Sequence, residues 1–124
     1  MASFKILPLH EHISIPIYNE GGYEIRAAED VKITPRVPYC VPTGFKMSFP
    51  ENFCALITRH NIKTLGGLID SDYRGEVKVI VVSSQEEEIK QGEIIAKMHL
   101  IEIETPEIEV DQGYPADGKT DIVV

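Results

Sequence analysis

The sequence contains no tryptophan and only two cysteines, Cys40 and Cys54, in 124 residues. Two cysteines allow one disulfide at most. Without a Cys-x-x-Cys or Cys/His spacing they do not build a zinc site. Both are expected to be free, buried thiols in a reducing compartment. No apolar run approaches the roughly 18 residues that a membrane-crossing helix needs. The opening Met1-Ala2-Ser3-Phe4-Lys5 lacks the apolar core and small-residue cleavage pattern of a secretion signal. The expectation is an intracellular protein, in cytoplasm or nucleus. Cations are also scarce: 12 Lys and Arg stand against 20 Asp and Glu, a net charge of −8. That excludes the basic surface by which proteins hold DNA or RNA, and a polybasic membrane dock. It leaves room for a small phosphorylated ligand gripped by a few local cations. Internal repeats, linkers and amphipathic helical stripes are missing too.

What the chain does have is alternation. Ile13, Ile15 and Ile17 recur at period two, as do Phe45, Met47 and Phe49, then Phe53, Ala55 and Ile57, then Val77, Val79 and Val81. This period marks half-buried strands. Glu93 to Ile103 is nearly continuously apolar and reads as a strand buried on both faces or at a subunit interface. Turn-forming residues interrupt these runs at Gly21-Gly22, Val41-Pro42-Thr43-Gly44, Pro50-Glu51-Asn52, Gly66-Gly67 and Gln91-Gly92. Short strands with frequent turns predict an all-β barrel, sandwich or jelly roll. The polar stretch Ser84 to Gln91 reads as a loop or bent strand, with Glu86-Glu87-Glu88 solvated. Residues 1–105 form the predicted β-barrel domain and 106–124 an extended tail.

The chemistry concentrates in Gly66-Gly67-Leu68-Ile69-Asp70-Ser71-Asp72-Tyr73-Arg74-Gly75-Glu76-Val77. By its residues it is a hairpin that presents a carboxylate and a ring, or simply a polar turn capped by Asp70. As a whole string it resembles the third motif of the trimeric dUTP diphosphatases (dUTPases). Gly22-Tyr23-Glu24-Ile25 resembles their first motif, Thr58-Arg59-His60 stands where the second has Pro-Arg-Ser, and Gly92-Glu93-Ile94-Ile95-Ala96-Lys97-Met98 resembles the fourth. The resemblance implies a dUTPase-like distorted jelly-roll barrel, assembled as a homotrimer with sites at subunit boundaries. It implies hydrolysis of dUTP to dUMP and pyrophosphate. Asp70 would activate the attacking water. Tyr73 would stack under the deoxyribose and select against ribonucleotides, and the backbone around Gly75 would read uracil. Arg59, His60 and Lys97 would meet the phosphates. Mg²⁺ would be held mainly through substrate phosphates and water, with no direct protein ligand and with Glu24 behind the metal waters.

Departures from the family pattern accompany these matches. Glu24 replaces Asp, His60 replaces Ser, Asn61 replaces Gly, Lys97 replaces Gln, and the segment from Arg59 to Asp70 is several residues short. The glycine-rich fifth motif, with its arginine and phenylalanine, is lacking; Tyr114 and Lys119 are the nearest substitutes. Each lost phosphate donor costs about 10²–10³ in rate, so weak activity is expected. The alternative is a catalytically inactive protein of dUTPase descent that acts by binding other proteins through its surface or tail. Ile122-Val123-Val124 carries the apolar pattern of some PDZ ligands. A dCTP-deaminase relative on the same fold fits the Asp70–Gly75 string less well. His10-Glu11-His12, read as a strand, would put two imidazoles on one face without a third ligand. His99 reads as a satisfied interior or interface residue.

Overall fold

A computed structural model describes residues 3–113 of the chain. These residues form twelve strands: β1 (Lys5–Pro8), β2 (Ile17–Asn19), β3 (Gly22–Arg26), β4 (Val31–Ile33), β5 (Tyr39–Pro42), β6 (Phe45–Ser48), β7 (Phe53–Arg59), β8 (Lys63–Thr64), β9 (Leu68–Ile69), β10 (Lys78–Val82), β11 (Glu87–Ile89) and β12 (Ile94–Glu102). No helix occurs among the described residues, so none is long and apolar enough to cross a membrane. The strands pair antiparallel throughout, in four sheets ordered β1-β6, β5-β10-β8, β11-β4 and β2-β3-β12-β7-β9. The expected all-β jelly-roll barrel is what the chain adopts.

Period-two alternation places the core. Val31 and Ile33 of β4, Phe45 and Met47 of β6, Ala55 and Ile57 of β7, and Val79 and Val81 of β10 all point inward and are buried. β12 follows the same rule: Ala96 and Met98 are buried, while Lys97 and His99 on the opposite face are half-buried. The strand is therefore sided, not buried on both faces. A shift of register between Ile94 and Ala96 marks where its pairing with β3 is irregular. Phe45 is among the largest fully buried side chains. Phe45→Ala is expected to cost about 3–5 kcal/mol, a large share of a domain's stability, read from urea unfolding at unchanged m.

Four expectations are corrected. The alternation of Ile13, Ile15 and Ile17 yields a strand only at Ile17, because a turn occupies residues 11–12 and the next four residues have no ladder partner. His10 and His12 lie on that turn with stacked rings 5.6 Å apart, not along a strand. Cys40 is exposed; only Cys54 is buried. Finally, the segment around Asp70 is not a two-stranded ladder. β9 pairs with β7 in the large sheet, whereas β10 pairs with β5 and β8 in another. Residues 70–77 form a corner by which the chain changes sheets.

Candidate functional site

The corner is built by its own polar groups. The amide of Tyr73 donates to the carbonyl of Asp70 at 3.2 Å, which closes a turn over residues 70–73. The Arg74 guanidinium donates to the carbonyls of Ser71 (2.6 Å) and Tyr73 (3.1 Å), so it braces the turn from outside. Tyr73 folds back along the chain, and its hydroxyl donates to the carbonyl of Glu76 at 2.6 Å. Its ring lies against Gly75, where a β-carbon would sit 2.6 Å from the hydroxyl oxygen and 2.8 Å from Cζ. Glycine is required there for room, so that the ring can reach its carbonyl. An open groove of about 570 Å³ runs beside the corner. Asp70, Asp72 and Tyr73 line it together with Cys40, Lys78 and Ile80 from β5 and β10. Tyr73 keeps 45% of its surface exposed at the groove.

Glu24 and Lys97 meet elsewhere, opposite each other on β3 and β12. Lys97 Nζ donates to the carbonyl of Asn19 at 2.6 Å and stands 4.0 Å from Glu24. The Asn19 amide donates to Glu24 Oε2 at 3.2 Å, and Arg26 approaches the same carboxylate at 3.6 Å. Asn19 thus holds both side chains. It is presented by a two-residue hairpin turn, Glu20-Gly21, in which both residues have positive φ, the conformation that suits the twist of the paired strands. Sequence reasoning missed Asn19. Its only signal was the Gly21-Gly22 turn, which says where the chain reverses and not which side chain will cap the neighbouring strand.

Arg59 ends β7 opposite Ala96, one residue from the row formed by Thr58, Lys97 and Glu24. Its side chain lines a second groove, of about 530 Å³, with Arg36, Lys63, Ser83 and Glu87. His60 occupies the bend that follows and is exposed. On the outer face of the large sheet His99 bonds Thr58 at 3.0 Å, which agrees with a satisfied histidine.

The residues named from the sequence therefore fall into two groups. Asp70, Tyr73 and Gly75 share one corner; the others lie away from it, Lys97 and Glu24 paired on the outer face of the large sheet and Arg59 with His60 at the end of β7, where Arg59 lines the second groove. The register measures the gap. Ile69 pairs with Ala55, near the start of β7, and Arg59 is its last residue. At about 3.4 Å per residue, Asp70 and Arg59 lie about 17 Å apart along the strand. Among the described residues, no three His, Cys, Asp or Glu side chains converge as metal ligands. Tyr114, Lys119 and the Ile122-Val123-Val124 ending lie outside the described residues.

A dUTPase family model matches residues 13–119. The chain belongs to the dUTPase family. It is 34% identical to the deoxyuridine 5′-triphosphate nucleotidohydrolase of Paramecium bursaria Chlorella virus 1, over 89% of this chain and 86% of that one. It is 36% identical to the enzyme of the same name from Zymomonas mobilis, over 80% and 77%. Solved dUTPases share the fold at lower identity. A variant from Staphylococcus bacteriophage 80alpha, with dUpNHpp, superposes at a TM-score of 0.86 with 19% identity, over 94% of this chain and 92% of that one. A variant from phage phi11 of S. aureus, which coordinates a structural Mg(II) ion, superposes at 0.84 with 19% identity, over 90% and 98%. Family membership accounts for the fold and for the order of the motifs.

Proposed function

We propose that the chain is a Mg²⁺-dependent dUTP diphosphatase whose site is completed between copies of a homotrimer. The observation that carries this reading is the division along β7: the register puts Asp70 and Arg59 about 17 Å apart along the strand, at its two ends. The corner of one copy would take the uracil and sugar. Arg59, His60 and Lys97 of the next would take the phosphates. The outer face of the large sheet supports such an assembly, because Ile17 and Ile101 are exposed there, 64% and 39%, beside the half-buried Lys97 and His99.

The chemistry follows from these placements. Asp70 accepts a proton from a water whose oxygen attacks the α-phosphorus. The bond from that phosphorus to the bridging oxygen breaks, and pyrophosphate leaves. Tyr73 would stack its exposed ring under the deoxyribose and select against a 2′-hydroxyl. Lys97 acts as a point charge on phosphate, without the fixed geometry of an amide. Mg²⁺ carried by the triphosphate would neutralise charge as the pyrophosphate departs. Glu24 suits a role through the metal's waters, since its carboxylate is already engaged by Asn19 and flanked by Arg26 and Lys97.

Pyrophosphate release from dUTP with Mg²⁺, with calorimetric binding of dUMP-imido-diphosphate to the same sample, tests the proposal. Turnover supports it. Binding without turnover reduces it to a nucleotide-binding protein, and neither would leave the fold as a scaffold for protein partners. Gly75→Ala probes the corner. A β-carbon would push the Tyr73 ring off its carbonyl, at about 1–3 kcal/mol. Binding of dUMP-imido-diphosphate is expected to weaken by about tenfold or more, since 1.4 kcal/mol is a factor of ten.

A further inference from the structure

The hydroxyl of Tyr73 does not reach out of the corner; it is tied to the carbonyl of Glu76. What holds residue 76 therefore holds the ring. The Glu76 carboxylate turns away from the groove and accepts from the amide of Gly44 at 3.0 Å. This places residue 76 against the Val41-Pro42-Thr43-Gly44 turn between β5 and β6. The neighbouring residue is anchored separately: Val77 donates to the carbonyl of Phe45 (2.9 Å), and its own carbonyl accepts from the Thr43 amide (3.2 Å) and hydroxyl (2.6 Å). Val77 is thus fixed in the core by three bonds. The Glu76 carbonyl and the Val77 amide belong to one planar peptide unit, so the carbonyl that Tyr73 uses is held by two ties, the Val77–Phe45 bond and the Glu76 carboxylate.

We infer that Glu76 is a positioning residue, a strut from the Thr43-Gly44 turn that sets the pose of Tyr73 and with it the discrimination between deoxyribose and ribose. The inference rests on the proposed nucleotide reading for its consequence, but not for its geometry. A carboxylate or a carboxamide at 76 can accept from the Gly44 amide; an alkyl side chain cannot. Removing the acceptor leaves that part-buried amide without a partner and takes away one of the two ties on the peptide unit, so that the carbonyl of residue 76 can tilt about the remaining Val77–Phe45 bond. The ring shifts with it. A displaced ring would still bind a nucleotide but would no longer close the space around the 2′ position.

The test uses Glu76→Ala, Glu76→Gln and Thr43→Val in the full chain, with two readouts. One is the ring resonances of Tyr73 in selectively labelled protein, without nucleotide. The other is the ratio of kcat/KM for dUTP over UTP. Glu76→Ala is expected to move or broaden the Tyr73 signal and to lower the ratio by about tenfold or more, the loss of one buried contact. Glu76→Gln should restore both. Thr43→Val, which removes the buried hydroxyl bond to Val77 but touches neither Glu76 nor its carbonyl, should lower Tm and leave both readouts as in the wild type. An unmoved Tyr73 signal in Glu76→Ala would overturn the inference. So would equal effects in Glu76→Ala and Thr43→Val, which would mean general loosening. If the wild type neither binds nor turns over dUTP, the nucleotide reading fails, and the Tyr73 resonances alone still decide whether Glu76 holds the ring.

Discussion

Asp70→Asn should reduce pyrophosphate release from dUTP by about 10²–10⁴, the range for a lost general base. It should leave Tm and the binding of dUMP-imido-diphosphate close to the wild type. The contrast follows from which atoms of Asp70 the fold uses. Its main-chain carbonyl closes the turn with Tyr73, and its exposed side chain makes no hydrogen bond among the described residues. An asparagine keeps the turn and nearly the same shape in the groove. It cannot accept a proton from water at neutral pH. Steady-state turnover, calorimetry and thermal unfolding on one preparation give the three readings. Undiminished turnover in the variant would move the base elsewhere. Loss of binding together with turnover would make Asp70 a substrate-holding residue.

The second large effect is a recovery. Asp70→Asn and Arg59→Ala, each nearly inactive alone, are expected to regain activity when co-expressed and purified as mixed oligomers. If each site takes its corner from one copy and its cations from the next, random assembly leaves both halves intact in about a quarter of the sites. Mixed trimers freed of the two pure species each hold one intact site in three, so they should show about a third of the wild-type turnover, many times that of either variant. The separation of about 17 Å between the two residues along the strand is the reason to expect this. A site contained in one chain would give no recovery at any mixing ratio. Differently tagged copies, captured in tandem, ensure that only mixed oligomers are assayed.

Much of the fold was legible because period two is a local property. Val77, Val79 and Val81 had to face one way, and they are buried; so are Phe45 and Met47. The motif strings were legible for a different reason. Asp70, Tyr73 and Gly75 lie within six residues, and residues so close in sequence act together through local geometry, such as the ring of Tyr73 lying on Gly75. Alternation misled at Ile13 and Ile15, where apolar side chains serve a loop: Ile13 is buried without belonging to a strand. The tendency of free thiols to be buried misled at Cys40, which lies on the outward side of β5 while Val41 beside it is buried.

The sequence by itself determined the all-β class, the inward residues of most strands and the family to which the motif strings belong. Each of these depends on neighbours within a few positions. Only the tertiary structure decided that the segment through Asp70 is a corner between sheets, that Asp70 and Arg59 stand at opposite ends of β7, and that Asn19 and Glu76 hold groups far along the chain or in another turn. Alternation tells a strand which face is buried but not which strand lies beside it, nor in what register. Those depend on how four sheets close over one core, and such long-range packing leaves no local mark in the sequence.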